Sequence, residues 1–195
     1  MHQNRKESLI IGDLFDKIGF QVDIVNHDKA SHLKKREGYH YNISFGRGEA
    51  FDYAIRNLSY DKSIYYATGL PAKLSNKFEE ERVRNVNKKY NQNFKPARHL
   101  PEEYESYSKI DHIIAMGNRN QYTNYENLSE KRIFLVNNLL VDFDAYRILE
   151  KDWEKAKNNF LFVGSKGKIL SGLDLLLEIF KERKDINLQI GRAHV

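Results

Sequence analysis

The chain has 195 residues, 41% of them hydrophobic and 30% charged, and a formal net charge of +5. This composition is typical of a globular protein. The absence of cysteine excludes disulfides and thiolate metal sites. No apolar run reaches the roughly 20 residues that span a bilayer, and the first residues lack the apolar stretch of a secretory signal. The positive charge favours anionic partners: phosphorylated molecules, lipid head groups or nucleic acid.

Seven short segments rich in β-branched and aromatic residues predict strands. In chain order they are residues 20–25, 39–46, 63–69, 112–117, 132–138, 160–164 and 186–190. Helical patterns lie at residues 8–18, 49–57, 75–90, 121–128 and 172–183. Strands that alternate with helices predict βαβ units and a parallel sheet, so the predicted fold class is α/β.

The last helical pattern is the clearest. Its apolar residues Leu173, Leu176, Leu177 and Phe180 recur at helical spacing and predict one buried stripe. Ser171, three residues before Asp174, predicts an N-cap.

Two segments interrupt the alternation of strands and helices. Residues 91–106 hold two of the three prolines and predict a long loop, which in compact domains is often functional. Residues 141–159 are polar, with Trp153 as their one large anchor, and predict a connector between two sheet units.

Glycine and polar residues collect where the predicted strands end. The residues singled out there are Gly46, Gly48, Glu49, Thr68, Gly69, Asn118, Gly164, Ser165 and Lys168. Ligands of open α/β sheets bind beyond the carboxyl ends of the strands. Glycine lets a ligand approach the backbone, and a helix start attracts phosphate. A single glycine at a strand end is typical of a plain turn, but glycines at four successive strand ends predict a ligand-binding edge of the sheet.

Several common motifs are absent from the chain. It has no Walker loop, no complete dinucleotide fingerprint, no His-Glu-x-x-His and no Gly-x-Ser-x-Gly. The seven histidines are dispersed, and His27 and His32 are wrongly spaced for one helical face. We therefore expect neither a metal nor a cofactor.

The stretch "FLFVGSKGKILSGLDLLLEIF" resembles the start of the C-terminal domain of retaining GT-B glycosyltransferases, the group-one family that uses nucleotide-sugar donors. Gly164, Ser165, Gly172, Leu173 and Asp174 match its pattern. The stretches "HQNRKES", "GFQVDIV", "YATGLPAKLSN", "YSKIDHIIAMGN" and "VNNLLVDF" are similar to a branch of the same family. The likeness runs in order through nearly the whole chain.

This resemblance implies a Rossmann-like acceptor domain at 1–145, a connector at 146–158, and at 159–189 the first β-α-β of a Rossmann-like donor domain. A nucleotide-sugar would bind in the cleft, with Gly164 and Ser165 near its diphosphate and Lys168 as a charge partner. The acceptor-side edge would hold the residues Gly46, Gly48, Glu49, Thr68, Gly69 and Asn118. The nucleotide-sugar is a substrate, and the resemblance assigns no catalytic residue here.

The chain departs from the family pattern in several places. Ser171 stands where the family usually has lysine, and no two glutamates have the Glu-x7-Glu spacing of the donor site. No strand precedes Ser8, and the tail "IGRAHV" at 190–195 equals one reading frame of a common sequencing adapter. We therefore expect a fragment truncated at both ends, with a non-native tail and no transferase activity of its own.

The leading hypothesis is that the parent protein transfers a hexose from a nucleotide-sugar to a glycan or lipid-linked acceptor, with retention. We expect a cytoplasmic location with peripheral association at the inner face of the membrane. The alternative is a non-enzymatic α/β module that binds a phosphorylated ligand. Nucleic acid is not an expected partner, because only the charge favours it and no recognition motif is present.

Overall fold

The computed structural model describes residues 3–101, 105–118, 124–125, 132–136, 152–164 and 167–192. The chain divides into two units. Unit 1 comprises Met1–Pro71 and Glu103–Ala145, and unit 2 comprises Ala72–Glu102 and Tyr146–Val195. Residues 72–102 therefore belong by their contacts to unit 2, whereas the division made from the sequence includes them in the domain at 1–145.

Unit 1 is an α/β unit built on a parallel sheet. Its strands β1 (His40–Gly46), β2 (Ser59–Ala67), β3 (His112–Met116) and β4 (Arg132–Val136) are hydrogen-bonded in that order. The helices α1 (Gln3–Lys17) and α2 (Gly48–Asn57) and two 3₁₀ helices, Ala30–Arg36 and Glu105–Lys109, accompany the sheet. The predicted class, a Rossmann-like parallel α/β arrangement, is confirmed at this level.

The core of unit 1 lies along α2 and the middle strands. Helix α2 buries Ala50, Phe51, Ala54 and Ile55, a spacing that forms one face of a helix. Ile110 packs with this face. A second cluster is formed by Ala67, Ile113, Ala115 and Tyr125. These contacts fix the carboxyl ends of β2 and β3 side by side.

The strand predicted at residues 20–25 is wrong. These residues form no ladder in the structure. Their alternating side chains do contact the rest of unit 1, and Asp23 accepts a hydrogen bond from the Tyr41 hydroxyl at 2.9 Å. An alternating pattern predicts which side chains are buried. A strand also needs a neighbouring backbone as its hydrogen-bond partner, and the pattern does not indicate whether such a backbone is present.

Unit 2 contains one β-α-β unit and a long helix. Strands β5 (Asn159–Gly164) and β6 (Asn187–Arg192) are parallel, with Phe162 opposite Ile190. The helices are α3 (Ala72–Tyr90), α4 (Trp153–Ala156) and α5 (Leu173–Glu182). The predicted helix at 172–183 is confirmed, and β6 continues to Arg192, beyond the predicted end at Ile190.

Two predictions about burial in unit 2 are wrong. Leu177 is exposed, because in the described part of unit 2 the sheet beside α5 has only two strands and is too narrow to bury the whole stripe. Trp153 is exposed over 70% of its surface, so it does not anchor the connector by burial. The first turn of α4 is held instead by Asp152, whose carboxylate accepts a hydrogen bond from the Lys155 amide at 3.2 Å.

The turn between α5 and β6 contains an ion pair whose effect depends on pH. Arg183 donates two hydrogen bonds to Asp185, at 2.7 and 2.5 Å, and they lower the pKa of that carboxyl from 3.8 to about 2. Because the folded-state pKa lies below the unfolded value, the pair stabilises unit 2 at neutral pH. That stabilisation is lost as the pH falls from 3.8 to about 2.

We expect a carbon-13 titration of the Asp185 carboxyl to give a pKa of about 2. Arg183→Gln should return this pKa towards 3.8 and remove its share of the acid dependence of the melting temperature. Lys184→Gln makes the same charge change one residue later and serves as the control. Equal Asp185 pKa values in the two variants would contradict the assignment of the shift to Arg183.

Candidate functional site

The predicted acceptor-side residues of unit 1 follow three neighbouring parallel strands. Gly46 ends β1, and Gly48 and Glu49 begin α2. Thr68 and Gly69 follow β2, and Asn118 follows β3 by two residues. Because β1, β2 and β3 are adjacent and parallel, their carboxyl ends share one edge of the sheet. The structure therefore brings these six residues to the same edge.

Arg47 joins the first two strand ends. Its guanidinium donates a hydrogen bond to the Thr68 hydroxyl in a partly buried position. The sequence already placed Arg47 at this strand end, between Gly46 and Gly48, but Arg47 was not selected as a site residue. The hydrogen bond fixes a cationic group at the carboxyl edge of the sheet, where a loop arginine would otherwise be free to extend into solvent.

A backbone contact explains why Gly48 is required at the start of α2. Its φ is +74°, and a Cβ added there would lie 3.2 Å from the His27 carbonyl oxygen. That oxygen accepts a hydrogen bond from the Ala50 amide at 2.9 Å, inside the first turn of α2. His27 thereby joins the edge, although sequence analysis considered it only as a metal ligand. The signal that could have found it is its position just after the extended run at 20–25.

Two charged groups of opposite sign act on Tyr66 near the end of β2. Burial raises the pKa of Tyr66 above its ordinary value, the Glu7 carboxylate raises it further, and the Arg47 guanidinium lowers it. Glu7 is buried and lies on α1. The edge therefore combines a buried carboxylate, a guanidinium and two hydroxyl groups, those of Thr68 and Tyr66. Such a set can donate to and accept from the hydroxyl groups of a sugar.

The loop after β2 is tied to the core by Tyr125, whose hydroxyl donates a hydrogen bond to the Gly69 carbonyl oxygen. Tyr125 itself is 2% exposed. At the next strand end, the Gly117 amide donates to the Val136 carbonyl oxygen of β4 at 2.9 Å, and Asn118 is exposed just beyond it. The backbone of the edge is thus fixed, while side chains such as Asn118 and Glu49 are exposed to solvent.

The predicted diphosphate loop of unit 2 lies between β5 and α5. Gly164 is buried at the end of β5, Lys168 is exposed in the turn that leads to α5, and Ser165 lies outside the described residues. Gly167 is buried with φ +80°, and a Cβ added there would lie 3.2 Å from Cδ of Arg98. The stem of Arg98 therefore packs directly against the backbone of this loop.

Two buried polar side chains of α3 hold the segment that carries Arg98. The Glu79 carboxylate accepts hydrogen bonds from the amides of Ala97 and Arg98, at 2.8 and 2.7 Å. Asn76 bonds to both the amide and the carbonyl of Leu100, each at 2.9 Å. Arg98 is thus placed by its backbone. Sequence analysis expected a functional loop at 91–106 but did not single out Arg98, which lies far from Gly167 in the sequence.

The N-cap predicted at Ser171 is wrong. Helix α5 is capped by Gly172, whose φ is +83°, with no side-chain hydrogen bond. The Ser171 hydroxyl instead donates a hydrogen bond to the Gly167 carbonyl oxygen at 3.3 Å. It does so because residues 167–172 form turns, in which the Leu173 amide donates to the Lys168 carbonyl oxygen. Asp174 is paired with Arg82 of α3 at 2.6 Å, so its charge is neutralised where it would otherwise repel an anion.

Across the described residues, no group of three histidine or acidic side chains is arranged to hold a metal ion. No helix in that part of the chain has the length and apolar character needed to cross a bilayer. No protein-family model matches the chain, and no curated protein or solved structure matches it either. Its function is therefore inferred from its own residues and their geometry.

Proposed function

We propose that the chain carries binding elements of a retaining GT-B glycosyltransferase, which transfers a sugar from a nucleotide-sugar to a glycan or lipid-linked acceptor. The observation that carries the proposal is the position of Arg98 against Gly167, beside the turn that leads to α5. The resemblance of residues 160–180 to the donor domain of that family points to the same loop.

The β5–α5 loop of unit 2 has the groups that a diphosphate needs. Helix α5 begins without a side-chain cap, so the positive end of its dipole would attract an anion, although the Leu173 amide already donates to the Lys168 carbonyl oxygen. Arg98 and Lys168 supply positive charge on the segments around this turn. Gly164 and Gly167 are buried, and a Cβ at these positions would meet the Phe162 ring and the Arg98 stem respectively, so the two glycines let these side chains pack against the loop backbone.

The chemistry of sugar transfer explains this arrangement. The bond between the sugar and the diphosphate breaks, a bond to the acceptor hydroxyl oxygen forms, and the hydroxyl proton passes to an oxygen of the departing diphosphate. Negative charge develops on the departing phosphate, so fixed cations and amides placed beside it lower the barrier. In the proposal, Arg98 and Lys168 have this role, and no side chain is assigned as a nucleophile.

The edge of unit 1 would bind hydroxyl-rich ligands. Arg47, Thr68, His27 and Glu7 provide donors and acceptors around the ends of β1 and β2, in positions fixed by the Arg47–Thr68 and Ala50–His27 hydrogen bonds. A positively charged chain also favours anionic lipid surfaces, where a lipid-linked acceptor would be found. We include peripheral membrane association in the proposal on this ground.

The test is calorimetric titration of the chain with UDP, GDP and UDP-glucose. We expect Arg98→Ala to weaken binding of the preferred nucleotide about tenfold, the effect of losing one charge-assisted hydrogen bond worth roughly 1.4 kcal/mol. Lys168→Ala should weaken it about threefold, because an exposed lysine contributes less. Lys184→Ala, at the other end of α5, is the matched control and should have no effect.

Unchanged affinity in Arg98→Ala would contradict the proposed site. Inorganic phosphate that binds as tightly as the nucleotides would instead favour the alternative, a non-enzymatic module that binds phosphorylated ligands.

A further inference from the structure

A serine, a histidine and an aspartate form a hydrogen-bonded chain at the amino-terminal edge of the sheet in unit 1. Nδ1 of His40 lies 2.8 Å from the Ser59 hydroxyl oxygen, and Nε2 lies 2.9 Å from one carboxylate oxygen of Asp61. The Asn42 amide donates a hydrogen bond to the other carboxylate oxygen at 3.1 Å. These four side chains are the amino-edge cluster, and neither the acceptor-side edge nor the β5–α5 loop includes any of them.

The parallel register of β1 and β2 brings the cluster together. His40 and Ser59 are the first residues of the two strands and lie opposite each other in the ladder. Side chains two residues apart along a strand project from the same face, so Asn42 shares the face of His40 and Asp61 shares the face of Ser59. The His40 ring can therefore reach Ser59 and Asp61 at once. The cluster lies at the opposite end of these strands from the acceptor-side edge.

The partners of the His40 ring determine which nitrogen carries the proton. The hydrogen bond from Asn42, and after it the one from His40, lower the pKa of Asp61 below its ordinary value. The Asp61 carboxylate is therefore ionised at neutral pH and can only accept hydrogen bonds. Nε2 of His40 must then be the donor to Asp61. In the neutral ring this leaves Nδ1 as an acceptor, so the Ser59 hydroxyl donates its proton to it.

A serine that donates to a histidine held by a carboxylate has the geometry of an activated nucleophile. The imidazole can take the hydroxyl proton as the oxygen attacks, and the carboxylate stabilises the imidazolium that forms. Ser59 is exposed, so a small ester can reach its hydroxyl group. Ser59 is not part of a Gly-x-Ser-x-Gly motif, and such sites are recognised by geometry rather than by sequence position.

We propose that the amino-edge cluster is an acyl-transfer site for small activated esters. The Ser59 oxygen bonds to the acyl carbon, the bond from that carbon to the leaving oxygen breaks, and the Ser59 proton passes through His40 to the leaving oxygen. Water then attacks the acyl-serine, gives its proton to His40, and releases the acid as the proton returns to Ser59. The net reaction is hydrolysis of the ester. Asp61 and Asn42 are positioning residues, since neither touches the ester.

The probe is p-nitrophenyl acetate, added to the whole chain. The acetylated positions and their rates are followed by peptide mass spectrometry, because lysines also react with this reagent. We expect Ser59 to be acetylated about tenfold faster than Ser31, an exposed serine on the first 3₁₀ helix. His40→Gln should slow acetylation of Ser59 about tenfold, through the loss of its general base. Ser31→Ala should leave the rate at Ser59 unchanged.

The role of Asp61 is tested by the tautomer of His40, which a merely structural role would not change. Nitrogen-15 shifts of the ring, measured at a pH at which it is neutral, should show the proton on Nε2. Asp61→Asn introduces an amide that can donate to Nε2, so the proton moves to Nδ1 and Ser59 loses its acceptor. We expect slower acetylation of Ser59 in this variant. Asp16→Asn, at an exposed position on α1, makes the same charge change and should alter neither measurement.

Three results would overturn the proposal. The first is equal acetylation of Ser59 and Ser31, which would indicate non-specific reaction of surface groups. The second is an unchanged rate at Ser59 in His40→Gln, with circular dichroism showing that the variant is folded. The third is a proton on Nδ1 of His40 in the unaltered chain, since the ring could then not accept from Ser59. All three are independent of whether the chain binds nucleotides.

Discussion

Replacing Tyr125 with alanine is expected to lower the free energy of unfolding of unit 1 by about 4 kcal/mol. The side chain is 2% exposed and packs with Ala67, Ile113 and Ala115. Its removal leaves a large cavity between the ends of β2 and β3. Its hydroxyl group also holds the Gly69 carbonyl, so the loop after β2 loses its tie to the core.

Tyr125→Phe separates the two contributions. The ring remains and only the hydrogen bond to Gly69 is lost, so we expect a cost of about 1 kcal/mol. Ile18→Ala, at an exposed position, should change the free energy by less than about 0.5 kcal/mol. Urea unfolding followed by circular dichroism measures all three. A Tyr125→Ala variant no less stable than Tyr125→Phe would show that the ring contributes nothing to the core.

Replacing Glu79 with alanine is expected to destabilise unit 2 by about 3 kcal/mol, because two hydrogen bonds to a charged acceptor are lost. Glu79 is 2% exposed and is the acceptor for the amides of Ala97 and Arg98. Its loss frees the segment that places Arg98 against Gly167. We therefore also expect weaker nucleotide binding, although Glu79 itself would not touch the nucleotide.

Glu79→Gln keeps an oxygen acceptor at the same place and should cost only about 1 kcal/mol. Glu80→Ala changes the neighbouring exposed residue and is the matched control. Amide exchange at Ala97 and Arg98 reports the lost bonds directly. If exchange at these two amides is the same in Glu79→Ala as in Glu80→Ala, the role assigned to the Glu79 carboxylate is wrong.

The order of strands and helices could be predicted from the sequence because it depends on local apolar patterns. β3, β5 and α5 lie where their patterns predict them. Residues 20–25 show the limit of this reasoning. Their pattern predicted an extended backbone, but the hydrogen-bonding neighbour that would make it a strand is a property of the tertiary structure.

For the candidate sites, the sequence likewise predicted the local backbone but not the side chains that tertiary contacts bring to it. The glycines at strand ends indicate where the backbone turns at the sheet edge, and Gly48 and Gly167 do have positive φ. Arg98 could not be predicted, because its approach to Gly167 depends on two buried side chains of α3, Asn76 and Glu79. Ser171 matched a capping pattern, but the turns at 167–172 move the helix start to Gly172.

Nuclear magnetic resonance can show whether the β5–α5 loop binds the diphosphate of a nucleotide. The isotope-labelled chain is titrated with UDP and, separately, with uridine. We expect UDP to shift the resonances of the Gly164, Gly167, Lys168 and Leu173 amides and of the Arg98 side chain, and uridine to leave them unchanged. Shifts of equal size with uridine, or UDP shifts confined to other residues, would contradict it.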